Sequence, residues 1–248
     1  MNEPYLFESP LLEGMILRRK SQFTMDVMLE GNSVACHCPT TGRIGDVDVK
    51  GLSCLLSFHD DPKRKLRYTV EAVSCDPPDN PDKHWIGINQ TLSNRLVEHL
   101  LVTRQLPDMI ADYSSVRREV TLGSSRLDFL VGSTYLEVKT PLTTLHVPYG
   151  AHVKTRPAAP FSSTDRMVKH VGELASSLSS HERAILLTVH QYQVRQPKAH
   201  QRSTNYDSVH AAFEAAIAKG LEAWTVDFRF TPQGVWLAGY EDCTTSLL

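Results

Sequence analysis

The sequence predicts a mixed α/β protein, in which an N-terminal, OB-like five-stranded β-barrel precedes an α/β domain built on a mixed sheet. Three observations lead there. The first 82 residues fall into short strand-like runs separated by turn residues, with no convincing helical stripe. The stretch Asp76-Pro77-Pro78-Asp79-Asn80-Pro81-Asp82 then places three prolines where neither helix nor ladder can continue. Beyond it, helical stripes and β-branched apolar runs follow one another. We therefore divide the chain into residues 1–82 and 83–248.

The barrel strands are expected at Met15–Arg19, Phe23–Leu29, Ser33–His37, Cys54–Phe58 and Arg67–Ser74, with Glu30-Gly31-Asn32 as a hairpin turn. In the second domain, Trp85–Asn89 reads as a strand. Thr91 or Ser93 can cap a helix carrying Leu96, Leu100 and Leu101. Strands follow at Val116–Leu122, Arg126–Val131 and Thr134–Val138. A helix over Asp165–Leu178 aligns Met167, Val171, Leu174 and Leu178, and Ala184–His190 suits a buried strand. A helix from Asp207 to Lys219 stops at Gly220, and a final hairpin joins Ala223–Phe230 to Val235–Ala238.

With 26 Lys and Arg against 28 Asp and Glu, bulk charge does not hold this chain to nucleic acid, so any phosphate contact must come from local patches. No apolar run is long enough to span a bilayer, and Met1–Pro10 lacks the basic and apolar regions of a leader, so a cytoplasmic location with no membrane partner is expected. Five cysteines, an odd number, favour reduced thiols. Cys36-His37-Cys38 resembles half of a zinc site, but no second pair follows at finger spacing, which leaves two buried thiols at a strand end as the simpler reading. A Walker loop, a dinucleotide fingerprint and a Gly-x-Ser-x-Gly elbow around Gly123-Ser124-Ser125 are all absent.

Chemistry concentrates in the segment from Arg126 to Lys139. Gly132-Ser133 is a two-residue turn between alternating runs, so Glu137 and Lys139 share one face, and Asp128 on the neighbouring strand comes within reach of Glu137. Two carboxylates are hard oxygen ligands suited to Mg²⁺ or Mn²⁺, and an adjacent amine can orient water or offset phosphate charge. An Asp facing a Glu-x-Lys is equally the pattern of an ordinary solvent-facing sheet.

An ordered set of motifs goes further. His37-Cys38-Pro39-Thr40-Thr41-Gly42, Pro62-Lys63-Arg64-Lys65, Tyr68-Thr69-Val70-Glu71, Gly87-Ile88-Asn89-Gln90-Thr91 and Asn94-Arg95-Leu96 occur in that order. They are followed by Arg118-Glu119-Val120, Ser125-Arg126-Leu127-Asp128-Phe129, Tyr135-Leu136-Glu137-Val138-Lys139 and Lys169-His170. Together they resemble the sugar fermentation stimulation protein A (SfsA) family over nearly the whole chain. The resemblance implies an OB-fold joined to a PD-(D/E)XK nuclease-like domain, with DNA, single- or double-stranded, as partner; a homodimer is compatible with it. On motif positions, Asp128 and Glu137 match the metal-binding acids, Lys139 the lysine, and Glu98 the acid that such folds carry on their first helix. The chain departs from the pattern at Thr40, where the family has Asn, and at Met167-Val168, where it has Gly-Gln.

The densest positive charge, Arg18-Arg19-Lys20 and Lys63-Arg64-Lys65 with Arg67, lies in the barrel near Phe23, Phe58 and Tyr68, as a nucleic-acid surface or as solvated loops. Lys169 and His170 are further candidates for phosphate contact, a packed histidine being the alternative. Glu119 reads either as a third acid or as a cross-strand partner of Arg117 or Arg126. The reading as a whole is a DNA-binding protein with a Mg²⁺- or Mn²⁺-dependent phosphodiesterase site. Its alternative is a non-catalytic DNA-binding regulator that keeps the fold.

Overall fold

The structure, a computed structural model, describes residues 2–40, 42–156, 164–180, 183–199 and 202–247; Thr41 of the His-Cys-Pro motif lies outside them. It contains two sheets. Strand β1 (Tyr5–Leu6) belongs to the far one. The next five strands are β2 (Leu12–Ser21), β3 (Thr24–Leu29), β4 (Asn32–His37), β5 (Ser53–Phe58) and β6 (Tyr68–Ser74). They pair in the order β4-β3-β2-β5-β6, and β4 pairs with β6 to close the barrel, as the strand spacing predicts. Alternation explains the closure: Met25, Val27 and Leu29 of β3 point inward while their neighbours are partly exposed. Cys36, Cys38 and Cys54 are buried in this core, and all five cysteines are free. Burial pushes the Cys36 thiol up to about 12, which makes it an inert packing group rather than a nucleophile.

The expected Trp85–Asn89 strand contracts to β7 (Ile86–Gly87), which adds to β6. Helix α1 (Gln90–Val102) follows; its cap is Asn89, not Thr91 or Ser93, and the Asn89 carboxamide oxygen accepts from the Thr91 N–H at 3.1 Å. Then come β8 (Val116–Leu122), β9 (Ser125–Val131), β10 (Thr134–Lys139), α2 (Asp165–Ser177), β11 (Arg183–His190), α3 (Tyr206–Ile217), β12 (Glu222–Phe230) and β13 (Gly234–Asp242).

These strands and β1 form a seven-stranded mixed sheet in the order β1-β13-β12-β11-β10-β9-β8. Strands β10, β11 and β12 run parallel; the flanking pairs are antiparallel. Helix α1 covers one face with Leu92, Leu96 and Leu100 against Phe129, Leu136 and Leu187. Helices α2 and α3 cover the other, with Val171, Leu174 and Ala216 against Leu130, Tyr135 and Leu186. The first core also takes in Leu11, Leu55 and Ala72, so barrel and sheet share one apolar body. The turn from β9 to β10 requires a left-handed residue, and Gly132 (φ 55°) supplies it; a Cβ there would meet Asp112 at 2.4 Å.

Candidate functional site

The predicted hairpin forms in the predicted register, with Thr134 opposite Val131 and Leu136 opposite Phe129. Pairing of β10 with β9 stops there, while β10 continues alongside β11 as far as Lys139. The divergence strands the Val138 N–H. The Asp128 carboxylate takes it, with Oδ2 accepting at 2.8 Å, and Oδ1 accepts from the Asn94 carboxamide of α1 at 2.7 Å. On the other strand, Glu137 Oε1 accepts from Lys139 Nζ and from His170 Nδ1 of α2. Splayed strands thus let helices on both faces of the sheet reach one place.

Burial, and then the charge of Glu137, hold the Asp128 carboxyl above its usual range, against the lowering effect of its hydrogen bonds and of Lys139. Glu137 is 3% exposed, and its Oε2 has no hydrogen-bond partner among the described residues. A buried carboxylate oxygen without a donor is costly, and a cation bound to it removes that cost. No set of three or more His, Cys, Asp and Glu side chains arranged to hold a metal occurs among the described residues. A closed zinc cage of three or four such ligands is thus not present among the described residues.

Of the residues read from sequence, Asp128, Glu137, Lys139 and His170 come together. His170 is buried and spends Nδ1 on Glu137. Lys169 is exposed beside it. Glu98 instead pairs with Arg118 at 2.7 Å, one helical turn beyond Asn94. Glu119 takes the cross-strand reading and binds Arg126 at 2.5 Å. Its φ of 52° is a strained value in a strand, at the position facing Asp128. In sequence, Asn94 is marked by nothing beyond its place in the Asn-Arg-Leu motif.

The basic residues gather at one end of the barrel. Ser21 pairs with Thr24, Thr24 with His37, and His37 with Thr69, so the β2–β3 turn and the loop between β5 and β6 flank the same strand end. Lys20, Lys63, Lys65 and Arg67 are exposed there. Arg18 is tied to Asp26 at 2.6 Å. Arg19 is structural, donating to the Gly42 carbonyl at 2.8 Å and to those of Gln22 and Thr40. Thr40, the departure from the motif, is buried and donates to the Ile88 carbonyl, pinning the loop to the segment before α1.

Comparison with known proteins agrees with this architecture. The family model described as the SfsA N-terminal OB domain matches residues 17–88, and the Sugar fermentation stimulation protein RE domain matches residues 91–234. A sugar fermentation stimulation protein homolog of Synechococcus sp. (strain JA-3-3Ab) is 34% identical over 94% of this chain and 92% of its own. One from Agrobacterium fabrum is 30% identical over 94% and 95%. The structure of Pyrococcus furiosus SfsA in complex with Ca²⁺ superposes with a TM-score of 0.64, at 16% identity, over 96% of this chain and 97% of that one. No helix among the described residues is long and apolar enough to cross a membrane. With the OB domain and the RE domain both matched in order, and whole-length relatives at this identity, the chain belongs to the sugar fermentation stimulation protein family.

Proposed function

We propose that this protein is a divalent-metal-dependent phosphodiesterase acting on DNA, with Asp128 and Glu137 as the metal ligands. The observation that carries the reading is the buried Oε2 of Glu137, without a donor among the described residues, beside an Asp128 carboxyl that burial and its neighbour already disfavour as an anion. The Ca²⁺ complex of the Pyrococcus furiosus relative supports a hard cation, since Ca²⁺ and Mg²⁺ both take oxygen ligands.

A bound Mg²⁺ or Mn²⁺ supplies Lewis-acid polarisation of a phosphate oxygen and a more acidic water. The chain's own groups set the stage for that. Asn94 and the Val138 N–H fix the Asp128 carboxylate, and His170 fixes Glu137 from the opposite face. Lys139 Nζ, only partly exposed, keeps a positive charge at the same spot, where it can orient water or offset charge on phosphate. Lys20, Lys63, Lys65 and Arg67 give the barrel an exposed cationic end for the DNA backbone.

The test is incubation with single- and double-stranded DNA and RNA in Mg²⁺ or Mn²⁺. Cleavage is expected on DNA, reduced at least about 100-fold in Asp128→Ala and Glu137→Ala. Absence of cleavage, or cleavage that survives both substitutions, defeats the catalytic reading. The second reading, a non-catalytic DNA-binding regulator, draws on Glu98 being committed to Arg118 and on Met167-Val168 in α2. It expects salt-sensitive DNA binding in EDTA that is abolished by charge reversal at Lys63, Arg64 and Lys65.

A further inference from the structure

A groove of about 770 Å³ runs between the N-terminal segment and the barrel, away from the Asp128 carboxylate. That volume is within the range of ligand clefts, roughly 300–1,000 Å³. The segment from Tyr5 to Leu12 forms one wall; Phe58, His59, Arg64, Tyr68 and Glu71 form the other, and Leu92 and Arg95 of α1 close the end. Resting on the reading of DNA as partner, we infer that this groove holds a single-stranded segment of nucleic acid, with a base on Phe58 and backbone phosphate between Arg64 and Arg95.

Phe58 is 48% exposed, and its ring lies 5.3 Å from that of Tyr68, so an apolar platform faces solvent where a folded chain gains nothing by placing one. Arg95 is exposed and makes no hydrogen bond or ion pair among the described residues. Arg64 commits one N–H, to Thr69 at 3.3 Å. Aromatic faces beside spare guanidinium groups are what stacked bases and their phosphates require.

The polar floor is already hydrogen-bonded within the protein. The Ser57 hydroxyl donates to Glu71 Oε1 at 2.6 Å, and Asn89 donates to Glu71 Oε2 at 2.7 Å. Because the Ser57 hydrogen goes to Glu71, the 3.1 Å contact with His59 runs from His59 Nε2–H to Ser57, which leaves His59 Nδ1 as an acceptor. Burial and then Arg64 hold the His59 imidazole below its usual range, with Glu71 and Glu8 opposing and Arg95 reinforcing, which favours its neutral form. A neutral acceptor beside an aromatic platform suits the exposed edge of an unpaired base. Inside a duplex both faces of each base are covered by its neighbours, so away from duplex ends Phe58 can stack only on an unpaired base.

The groove is wired to the carboxylate pair through α1. Gln191 donates to the Asn89 carbonyl and to Ser93, both at 2.8 Å, and Thr140, the residue after Lys139, donates to Ser93 at 2.8 Å. Arg95 of the groove directly follows Asn94, which holds Asp128. A strand lying in the groove is thus registered by the same helix that sets the metal ligands.

The experiment is fluorescence anisotropy in EDTA, with a labelled oligothymidylate single strand, a duplex of the same length, and thymidine monophosphate as competitor. The single strand should bind more tightly than the duplex. Phe58→Ala and Phe58→Leu should each weaken it by roughly 5- to 100-fold, since base stacking on an aromatic ring has that weight. Arg95→Ala should weaken it and flatten its salt dependence, while Lys219→Ala, on an exposed helix end, leaves it unchanged. Duplex preference, or full single-strand affinity in the Phe58 and Arg95 variants, overturns the groove assignment while leaving the DNA reading intact. Displacement by the mononucleotide at oligomer concentrations identifies a free nucleotide as the occupant instead. A protein that binds neither nucleic acid in EDTA overturns the groove assignment, and cleavage of DNA in Mg²⁺ or Mn²⁺ then decides the DNA reading separately.

Discussion

Asp128 sits at a fault in its sheet, where β9 stops pairing with β10 and the carboxylate stands in for the lost ladder acceptor. That fault gives the Asp128 carboxylate its fixed orientation. The hairpin itself was legible, because period-two alternation around Gly132-Ser133 puts Asp128, Glu137 and Lys139 in register. Their partners were not: Asn94 and His170 come from helices 34 and 33 residues away in sequence, and no local periodicity carries such a pairing. The structure nevertheless gives Asn94 a measurable duty. Asn94→Ala leaves Asp128 with one donor and a rotatable carboxylate. Mn²⁺ affinity, read by calorimetry on uncleaved protein, should fall roughly 10- to 100-fold, as loss of an outer partner of a ligand typically does. Retention of wild-type affinity would show that the Val138 N–H alone suffices.

At the scale of elements, alternation of half-buried strands places them to within a few residues, whereas capping residue types alone misplace the start of α1. Thr91 and Ser93 are good capping types, but Asn89 holds the position by serving two masters. Its carboxamide oxygen accepts from the Thr91 N–H and hydroxyl, and its amide nitrogen donates to the buried Glu71 of β6. The cap is therefore also a joint between barrel and helix, which no one-dimensional cap signal reveals. Asn89→Asp keeps the capping oxygen and should be tolerated if capping is all that matters. Here it sets a second carboxylate against Glu71 and removes a buried donor, so a loss of about 2–4 kcal/mol in urea unfolding is expected at pH 7. Glu71→Gln in the same chain should restore most of that loss by supplying a donor to the new carboxylate. An Asn89→Asp protein as stable as wild type, or a double variant no better than the single one, would refute the joint.

For the whole molecule, a linear reading that divides the chain at the Pro-rich linker separates what the fold interleaves, since β7, beyond the linker, pairs with β6 of the barrel. Strand β1, two residues long and without periodicity, has no signature in sequence; it pairs with β13 from the opposite end of the chain. Behind it, the Phe7 ring packs 5.6 Å from that of Phe230, and Leu11 is buried in the core shared with Leu55, Ala72 and Trp85. The first dozen residues are thus a strap across both sheets. Deleting residues 2–11 should lower unfolding stability by at least about 3 kcal/mol, since a buried Leu alone contributes roughly 1.5–3 kcal/mol and partly buried aromatic rings add to it. The loss should appear in one cooperative transition, because one apolar cluster runs from barrel to sheet along this seam. It should also uncover the backbone of Gly234 and Val235 on the β13 edge, and concentration-dependent association on size-exclusion chromatography follows from that. An unchanged midpoint would mean that the strap rests on the molecule without supporting it. Two separated transitions would mean that the barrel and the sheet melt independently, and the shared apolar body would then not act as one.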